Sequence, residues 1–254
     1  MTIEHLYKYG KLNEYSEAIF STPTVWFSAP SRLNDPFECR PWFTFEGSQD
    51  QIVQSLVRAI RNQNPLLPPN EAVATAVGIF LEGRHRNPAT WENLRQDVTS
   101  KLAHEIGLYC MSESCDSILM WSHYAADHCG YCLRFEATDH TPFFGTAKRV
   151  GYSEDFPVVD FYNTPHDKQV DLIFLTKHQG WDYEREWRII DHDSGPGLYE
   201  YPSGILTGII FGIRMPDEDK SKIRSWAGKR GSPVKLYQAI QDQRRFAIDL
   251  VEVA

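Results

Sequence analysis

Short segments in which apolar and polar positions alternate recur along the chain and predict β-strands. The segments Leu6–Tyr9, Thr24–Ser28, Leu108–Ser112 and Tyr131–Glu136 combine this two-residue period with β-branched, aromatic or small buried side chains, which suit a pleated backbone. Further strands are expected later in the chain, at Arg149–Tyr152, Tyr183–Ile190, Leu198–Tyr201, Thr207–Ile213, Val234–Ala239 and Arg244–Val253.

Apolar residues spaced three and four positions apart predict three helices within residues 47–106. Ser48 and Gln51 form a capping box before the first helix, and the prolines of Pro68-Pro69-Asn70 and Asn87-Pro88 open the other two. This insert contains no obvious chemistry and is expected to brace the sheet or cover one side of a cleft. The apolar stripe of its third helix consists of Trp91, Leu94, Val98, Leu102 and Ile106.

The order of the predicted elements indicates the fold class. Helices and strands are mixed without the regular alternation of a doubly wound fold, which favours an α+β fold with a mainly antiparallel sheet. We expect a single domain over residues 1–254 that carries the helical insert. The remaining predicted helices run from Asn13 to about Phe20, from Ser117 to about Asp127 with Asp116 as cap, from Thr164 to near Gly180, and over Asp217–Lys229.

Composition narrows the classes of function. The formal net charge of −8 argues against broad affinity for nucleic acid or anionic membranes, because like charges repel. No apolar run approaches the roughly 18 residues that a membrane span needs, and the polar start does not resemble a signal peptide. We therefore expect a cytoplasmic protein.

The five cysteines raise the question of a zinc site. Cys110, Cys115, Cys129 and Cys132 fall into a C-x4-C…C-x2-C pattern that overlaps the spacings of structural zinc sites. Cys110 and Cys132, however, lie inside predicted strands, where a small thiol simply packs. We expect no metal site, while the spacing leaves zinc open.

Two stretches concentrate polar groups and rings. Trp121, His123 and Tyr124 lie on the helix between two predicted buried strands, so they are expected at one mouth of the sheet. In the stretch WDYEREWR, a strand would direct Glu184, Glu186 and Arg188 to one face. Two neighbouring carboxylates are costly to bury unless a cation or a ligand compensates them, although a solvated strand edge would leave the same pattern.

A third feature is the turn that follows the strand Thr24–Ser28. Pro36 holds Asp35 in an extended conformation, so Asp35 and Glu38 are expected to point into a common space. The chain contains neither a P-loop nor a Gly-x-Gly-x-x-Gly motif, so a phosphate group would depend on a helix N-terminus or on a basic side chain. The basic candidates are Lys8, Arg32 and Lys177.

Four segments together resemble a bacterial family known as domain of unknown function 2971. They are LYKYG, VWFSAPSRLNDPFE, CMSESCDSILMWSHYAADHCGYCLRF and KHQGWDYEREWRI, and they occur in the family's order between Leu6 and about Phe211. That family in turn is similar to the ADP-ribosyltransferases, which bind NAD in a cleft between two small antiparallel sheets. The resemblance thus implies an ADP-ribosyltransferase-like split sheet.

The resemblance also implies roles for particular residues. The three signature positions of the ADP-ribosyltransferases correspond to Lys8, Ser112 and Glu186 in this chain. Lys8 departs from the His or Arg that is usual at the first position. Glu186 would stabilise positive charge on the ribose, and Glu184 would act as base for the incoming nucleophile. The remaining residues expected at the site are Tyr7, Tyr9, Asn34 and Asp35 for the cofactor, and Trp121, His123, Tyr124, Lys177 and Arg188 for the substrate.

These features predict an NAD-dependent transferase or glycohydrolase, such as a toxin or phage-defence effector that modifies a macromolecule. Two alternatives stay open. One is a metal-dependent phosphodiesterase or nuclease that uses Lys177 on the phosphate. The other is a non-catalytic sensor whose aromatic cleft binds a nucleotide or peptide. The carboxylates and histidine of the first alternative would be Asp35, Glu38, His123, Glu184 and Glu186.

Overall fold

An eight-stranded sheet forms the centre of the molecule. A computed structural model describes residues 3–83 and 88–253 of the chain, and three two-stranded sheets accompany the large one in this part. The strands are β1 (His5–Gly10), β2 (Thr24–Phe27), β3 (Trp42–Thr44), β4 (Gly107–Ser112), β5 (Tyr131–Glu136), β6 (Lys148–Arg149), β7 (Gly151–Ser153), β8 (Val158–Asp160), β9 (Thr176–His178), β10 (Glu186–Asp191), β11 (Gly197–Glu200), β12 (Leu206–Phe211), β13 (Lys235–Gln241) and β14 (Ile248–Val253).

Helices pack on and beside this sheet. Short 3-10 helices at Pro30–Arg32, Phe144–Thr146, Gln179–Glu184 and Ser203–Ile205 join several of the elements. None of the helices in residues 3–83 and 88–253 combines the length and the apolar character that a membrane-spanning helix needs. The α-helices are α1 (Ser16–Ser21), α2 (Gln49–Gln63), α3 (Pro69–Leu81), α4 (Pro88–Glu105), α5 (Ile118–Tyr124), α6 (His166–Phe174) and α7 (Asp217–Ala227).

The strand order of the large sheet is β14-β13-β12-β5-β1-β4-β10-β6. Its neighbouring strands run antiparallel, apart from the parallel pair β12 and β13 in the described chain. Together with the helices, this confirms a mixed fold built on a large, mostly antiparallel sheet.

The sheet opens between its two central strands. β1 pairs with β5 along its whole length, and β4 pairs with β10 in the same way. Between β1 and β4, the register contains the pair Tyr7 and Ser112. Beyond this pair, the Lys8 ammonium donates to the Cys110 carbonyl across 2.7 Å. A cleft therefore lies where β1 and β4 diverge.

Apolar side chains fill the spaces around the sheet in three clusters. The largest centres on stacked rings, with the Phe135 and Phe144 centroids 4.4 Å apart. The second surrounds the fully buried Trp121 of α5, whose ring meets Tyr9 of β1 edge-on at 5.2 Å. In the third, α4 and α6 pack near Leu108 of β4. These clusters fix the strands that border the cleft.

The helical insert is observed largely as the sequence predicts. The capping box of Ser48 and Gln51 begins α2, α3 begins at Pro69, and α4 begins at Pro88. Side chains from α4 contribute to the third apolar cluster, while Asn87 and the side chains of Trp91 and Leu94 lie outside the described residues. The stripe members seen in that cluster are Val98, Leu102 and Ile106.

Several predicted boundaries are wrong, and local backbone geometry explains them. Helix α5 is capped by Ser117 rather than Asp116, and the chain leaves the helical conformation after Tyr124, with positive φ at residues 126–128. Helix α6 starts after Pro165 without a side-chain cap and ends at Phe174, before β9. The short strands β3, β8 and β9 were not predicted, because three residues are too few to establish a period.

Gly130 is a point of close backbone contact beside the start of β5. A Cβ atom there would lie 2.2 Å from the Gly10 carbonyl oxygen and 2.9 Å from backbone atoms of Ala125. We expect Gly130→Ala to lower the free energy of unfolding by about 1–3 kcal/mol, because rigid backbone must move. At Gly204 a Cβ atom meets nothing within 4 Å, so Gly204→Ala is the control in urea denaturation. Equal stability of the two variants would contradict the close contact.

Candidate functional site

A cavity of about 240 Å³ lies beside the point where β1 and β4 diverge. Side chains from β1, β2, β4, α5 and β10 reach it, together with the loop after β2. Both tyrosines of β1 and the Lys8 side chain between them contribute to its wall. The lining residues are Tyr7, Lys8, Tyr9, Trp26, Ser28, Arg32, Leu33, Asn34, Glu38, Leu108, Cys110, Met111, Ser112, Met120, Tyr124, Lys177, Glu184, Glu186 and Arg188.

Three carboxylates and two cations meet at one side of this cavity, and all five side chains are buried. The Lys177 ammonium lies 2.5 Å from Glu184, 3.0 Å from Glu38 and 3.1 Å from Glu186. The Arg188 guanidinium binds both oxygens of Glu186, at 2.7 and 2.9 Å, and also contacts Glu38. The cluster therefore has one more acid than base.

The two acidic residues of WDYEREWR reach this cluster by a route that the sequence did not predict. Glu184 ends the 3-10 helix Gln179–Glu184, whereas Glu186 begins β10. Arg185 between them adopts the left-handed conformation with φ 44°. The expected strand Tyr183–Ile190 therefore begins three residues later, yet both carboxylates still bind Lys177.

The two carboxylates differ in acidity. Burial raises the pKa of Glu184, although the Lys177 ammonium and the Tyr124 hydroxyl oppose this. Burial also acts to raise the pKa of Glu186, but Arg188 and then Lys177 outweigh it and lower that pKa to about 2. Glu186 is thus a fixed negative charge, while Glu184 takes a proton more readily. Such a separation of pKa values is typical of acid–base pairs.

Neighbouring hydroxyl groups hold Glu184 in place. The Ser112 hydroxyl donates to the Glu184 carbonyl at 2.6 Å and accepts from the Ser114 amide at 3.1 Å. The Tyr124 hydroxyl donates to the Glu184 carboxylate and lies 3.3 Å from the Asn34 amide nitrogen, which donates to it. Ser112 and Tyr124 therefore fix the position of Glu184.

The structure brings most of the predicted site residues to this cavity. Three lie elsewhere. Trp121 is fully buried, and its indole donates to the Cys115 carbonyl, so we correct its expected place in the substrate site. His123 is exposed and pairs with Tyr183 outside the cavity lining. Asp35 caps its own turn by accepting from the Phe37 amide and faces a second cavity.

Two lining residues have contacts or positions that the sequence did not predict. Glu38 shares the second cavity with Asp35, as the sequence predicts, while its contacts with Lys177 and Arg188 depend on distant parts of the chain. Trp26 occupies an outward position of β2, and 63% of it remains exposed. Alternation along TVWF was the available signal for Trp26, because it predicts that this large ring faces away from the core.

A second cavity of about 500 Å³ lies on the other side of the Glu38–Lys177 ion pair. Phe37, Phe156 and Trp181 give it aromatic walls, and the Lys177 ammonium lies 5.0 Å from the Trp181 ring centroid. Glu38 and Lys177 line both cavities. This ion pair therefore lies between the two cavities.

A metal site requires several carboxylate, imidazole or thiolate ligands near one another. Over residues 3–83 and 88–253, no three His, Cys, Asp or Glu side chains are grouped as a metal site requires. Three carboxylates of the metal-dependent alternative, Glu38, Glu184 and Glu186, form ion pairs with Lys177 or Arg188. The five cysteines are unpaired thiols.

One family model matches a segment of the chain that contains most of the charged cluster. Residues 120–189 match the family model described as protein of unknown function DUF2971. Over this segment, the match confirms the resemblance to that family noted in the sequence. No curated protein and no solved structure matches the chain. The DUF2971 segment contains four members of the charged cluster, namely Lys177, Glu184, Glu186 and Arg188.

Arg188 compensates two buried acids of the cluster, one inside the DUF2971 segment and one outside it. We expect Arg188→Met to lower the free energy of unfolding by about 3–5 kcal/mol, because Glu38 and Glu186 would be left without this partner. Lys148→Met is the control, since its ion pair with Asp171 is exposed and exposed pairs contribute about 1 kcal/mol at most. Similar losses in urea denaturation would contradict the central role of Arg188.

The low pKa of Glu186 predicts a dependence of stability on pH. A carboxyl group whose pKa falls on folding, here from 4.5 to about 2, stabilises the fold above its unfolded pKa and loses this effect as the pH falls through the folded value. The stability difference between wild type and Glu186→Gln should therefore shrink between pH 4.5 and pH 2. Urea denaturation across this range measures it, and a constant difference would disprove the ionised state.

Proposed function

We propose that this protein transfers ADP-ribose from NAD, or hydrolyses NAD, in the cavity beside β1 and β4. The observation that carries the proposal is the pair Glu184 and Glu186, which have opposite pKa shifts and line one cavity with Ser112 and Lys8. The opening of the sheet between β1 and β4 supports binding of a ligand between two groups of strands.

The chemistry uses the two acids differently. When the bond between nicotinamide and ribose breaks, its electron pair leaves with nicotinamide, and the ribose becomes positively charged. The ionised Glu186 stabilises this charge. Glu184, when deprotonated, accepts the proton of the incoming water or acceptor nucleophile as the new bond to ribose forms. Tyr7 lies beside Ser112 on the neighbouring strand and borders the space proposed for nicotinamide.

The charges of the cavity also suit a dinucleotide. The three carboxylates that line it form ion pairs with Lys177 or Arg188. Lys8 gives a hydrogen bond to Cys110, and its ammonium keeps further donors for ribose or phosphate oxygens. The enclosed part accommodates the reacting ribose, and the rest of NAD extends over the mouth.

The second cavity supports a transferase that acts on a macromolecule. Phe37 and Phe156 are exposed at its walls, and exposed aromatic side chains favour contact with a partner. We include in the proposal a cytoplasmic toxin or phage-defence role, with an acceptor that approaches from this side.

The test is release of nicotinamide from NAD by the pure protein, with and without cell extract. We expect Glu186→Gln to reduce the rate by about 10²–10³-fold, the typical loss when one charge-stabilising group is removed. Glu184→Gln should reduce it by about 10²-fold or more, and it should fold well because Gln resembles the protonated acid.

Glu252→Gln is the matched control, since Glu252 forms an exposed ion pair on β14. Melting temperatures with and without NAD separate loss of chemistry from loss of folding or binding. Wild-type rates in both cluster variants would refute the proposal. NAD binding without nicotinamide release would favour a sensor instead.

A further inference from the structure

The side chain of Trp26 is conspicuous at the mouth of the first cavity. It lines the cavity, yet 63% of it is exposed. Among the described residues, no other ring stacks on it. An exposed indole is unusual without a partner, and a bare aromatic face is what a nucleobase stacks on.

The backbone that carries this indole is fixed by strand pairing and by buried neighbouring side chains. Val25 and Phe27 on either side of Trp26 are buried, and β2 pairs with β11 in a register that sets Trp26 opposite Leu198. At the end of β2, Ser28 and Leu108 of β4 exchange two backbone hydrogen bonds of 2.9 Å. The strand that carries the ring is therefore fixed, and only the side-chain torsions of this stacking platform must be ordered when a ligand binds.

A cation lies near this platform in the same cavity lining. Arg32 ends the 3-10 helix Pro30–Arg32, is exposed, and lines the cavity. In contrast to Lys177 and Arg188, it forms no ion pair with any described residue. The lining contains four basic side chains, Lys8, Arg32, Lys177 and Arg188, against three carboxylates, so its formal net charge is positive. A guanidinium in this position suits a diphosphate, which it can bind through two parallel hydrogen bonds.

We propose that Trp26 stacks on the adenine ring and that Arg32 binds the diphosphate of the nucleotide. The assignment of adenine rests on the proposed function, in which the reacting ribose lies at Glu184 and Glu186 and the other end of NAD extends to the mouth. Trp26 and Leu198 also form an exposed apolar pair, but the neighbouring free guanidinium favours a nucleotide over a protein surface.

Calorimetric titration with ADP and with inorganic pyrophosphate tests the two roles separately. Trp26→Ala should weaken ADP binding about 10-fold, because the stacking contact with the base is lost, and should leave pyrophosphate binding unchanged. Trp26→Phe should retain most of the affinity for ADP. Arg32→Met should weaken both ligands. Trp42→Ala is the control, because Trp42 is similarly exposed at 58% but lies on β3, outside this cavity.

The results separate this inference from the proposed function. Failure of wild type to bind ADP, unchanged ADP affinity in Trp26→Ala, or an equal loss in Trp42→Ala would overturn the inference. If Trp26→Ala releases nicotinamide with the wild-type KM, the adenine assignment is wrong while the enzyme activity stands. If ADP binding depends on Trp26 but wild type never releases nicotinamide, the assignment stands and the proposed activity fails. Melting temperatures of all variants verify folding.

Discussion

The buried ion pairs around Lys177 and Arg188 join parts of the chain that are far apart in sequence. Glu38 lies in the loop between β2 and β3, Lys177 lies on β9, and Arg188 lies on β10. Charges in such a place carry a large desolvation cost, which is offset here by direct contacts among all five members. A site that keeps an ionised carboxylate away from water is suited to stabilise a short-lived positive charge. The cluster thus stabilises the segments that border the cleft, and it is also the centre of the proposed chemistry.

The sequence predicted the parts of the fold that have a clear period or a clear cap. The capping box at Ser48, the strands around Leu108–Ser112 and Tyr131–Glu136, and the mostly antiparallel sheet are all observed. It failed where tertiary contacts decide the local conformation. Arg185 adopts positive φ, and Glu184 and Glu186 on either side of it both bind Lys177. The residue type at position 185 does not predict this conformation.

The candidate site shows the same division. Lys8, Ser112 and Glu186 lie on strands that are neighbours in the sheet, so the spatial convergence expected of them is observed, while their chemical roles stay proposals. Trp121 looked like a ligand contact because it lies among polar residues, yet helix α5 turns it into the core. Glu38 and Trp26 enter the cavity from segments whose importance depends on pairing between distant strands. Alternation along β2 predicts that Trp26 faces outward, but no local pattern in a single sequence predicts which cavity the two side chains line.

The divergence of β1 from β4 has a mechanical consequence. One pair of residues joins the strands from β14 to β1 with the group β4, β10 and β6 in the ladder of the large sheet. A small rotation of one group against the other would break few ladder hydrogen bonds, and Tyr7 and Ser112 would be its hinge. A ligand bound beside that hinge would contact both groups of strands. Part of its binding free energy would then be used to bring the two groups together.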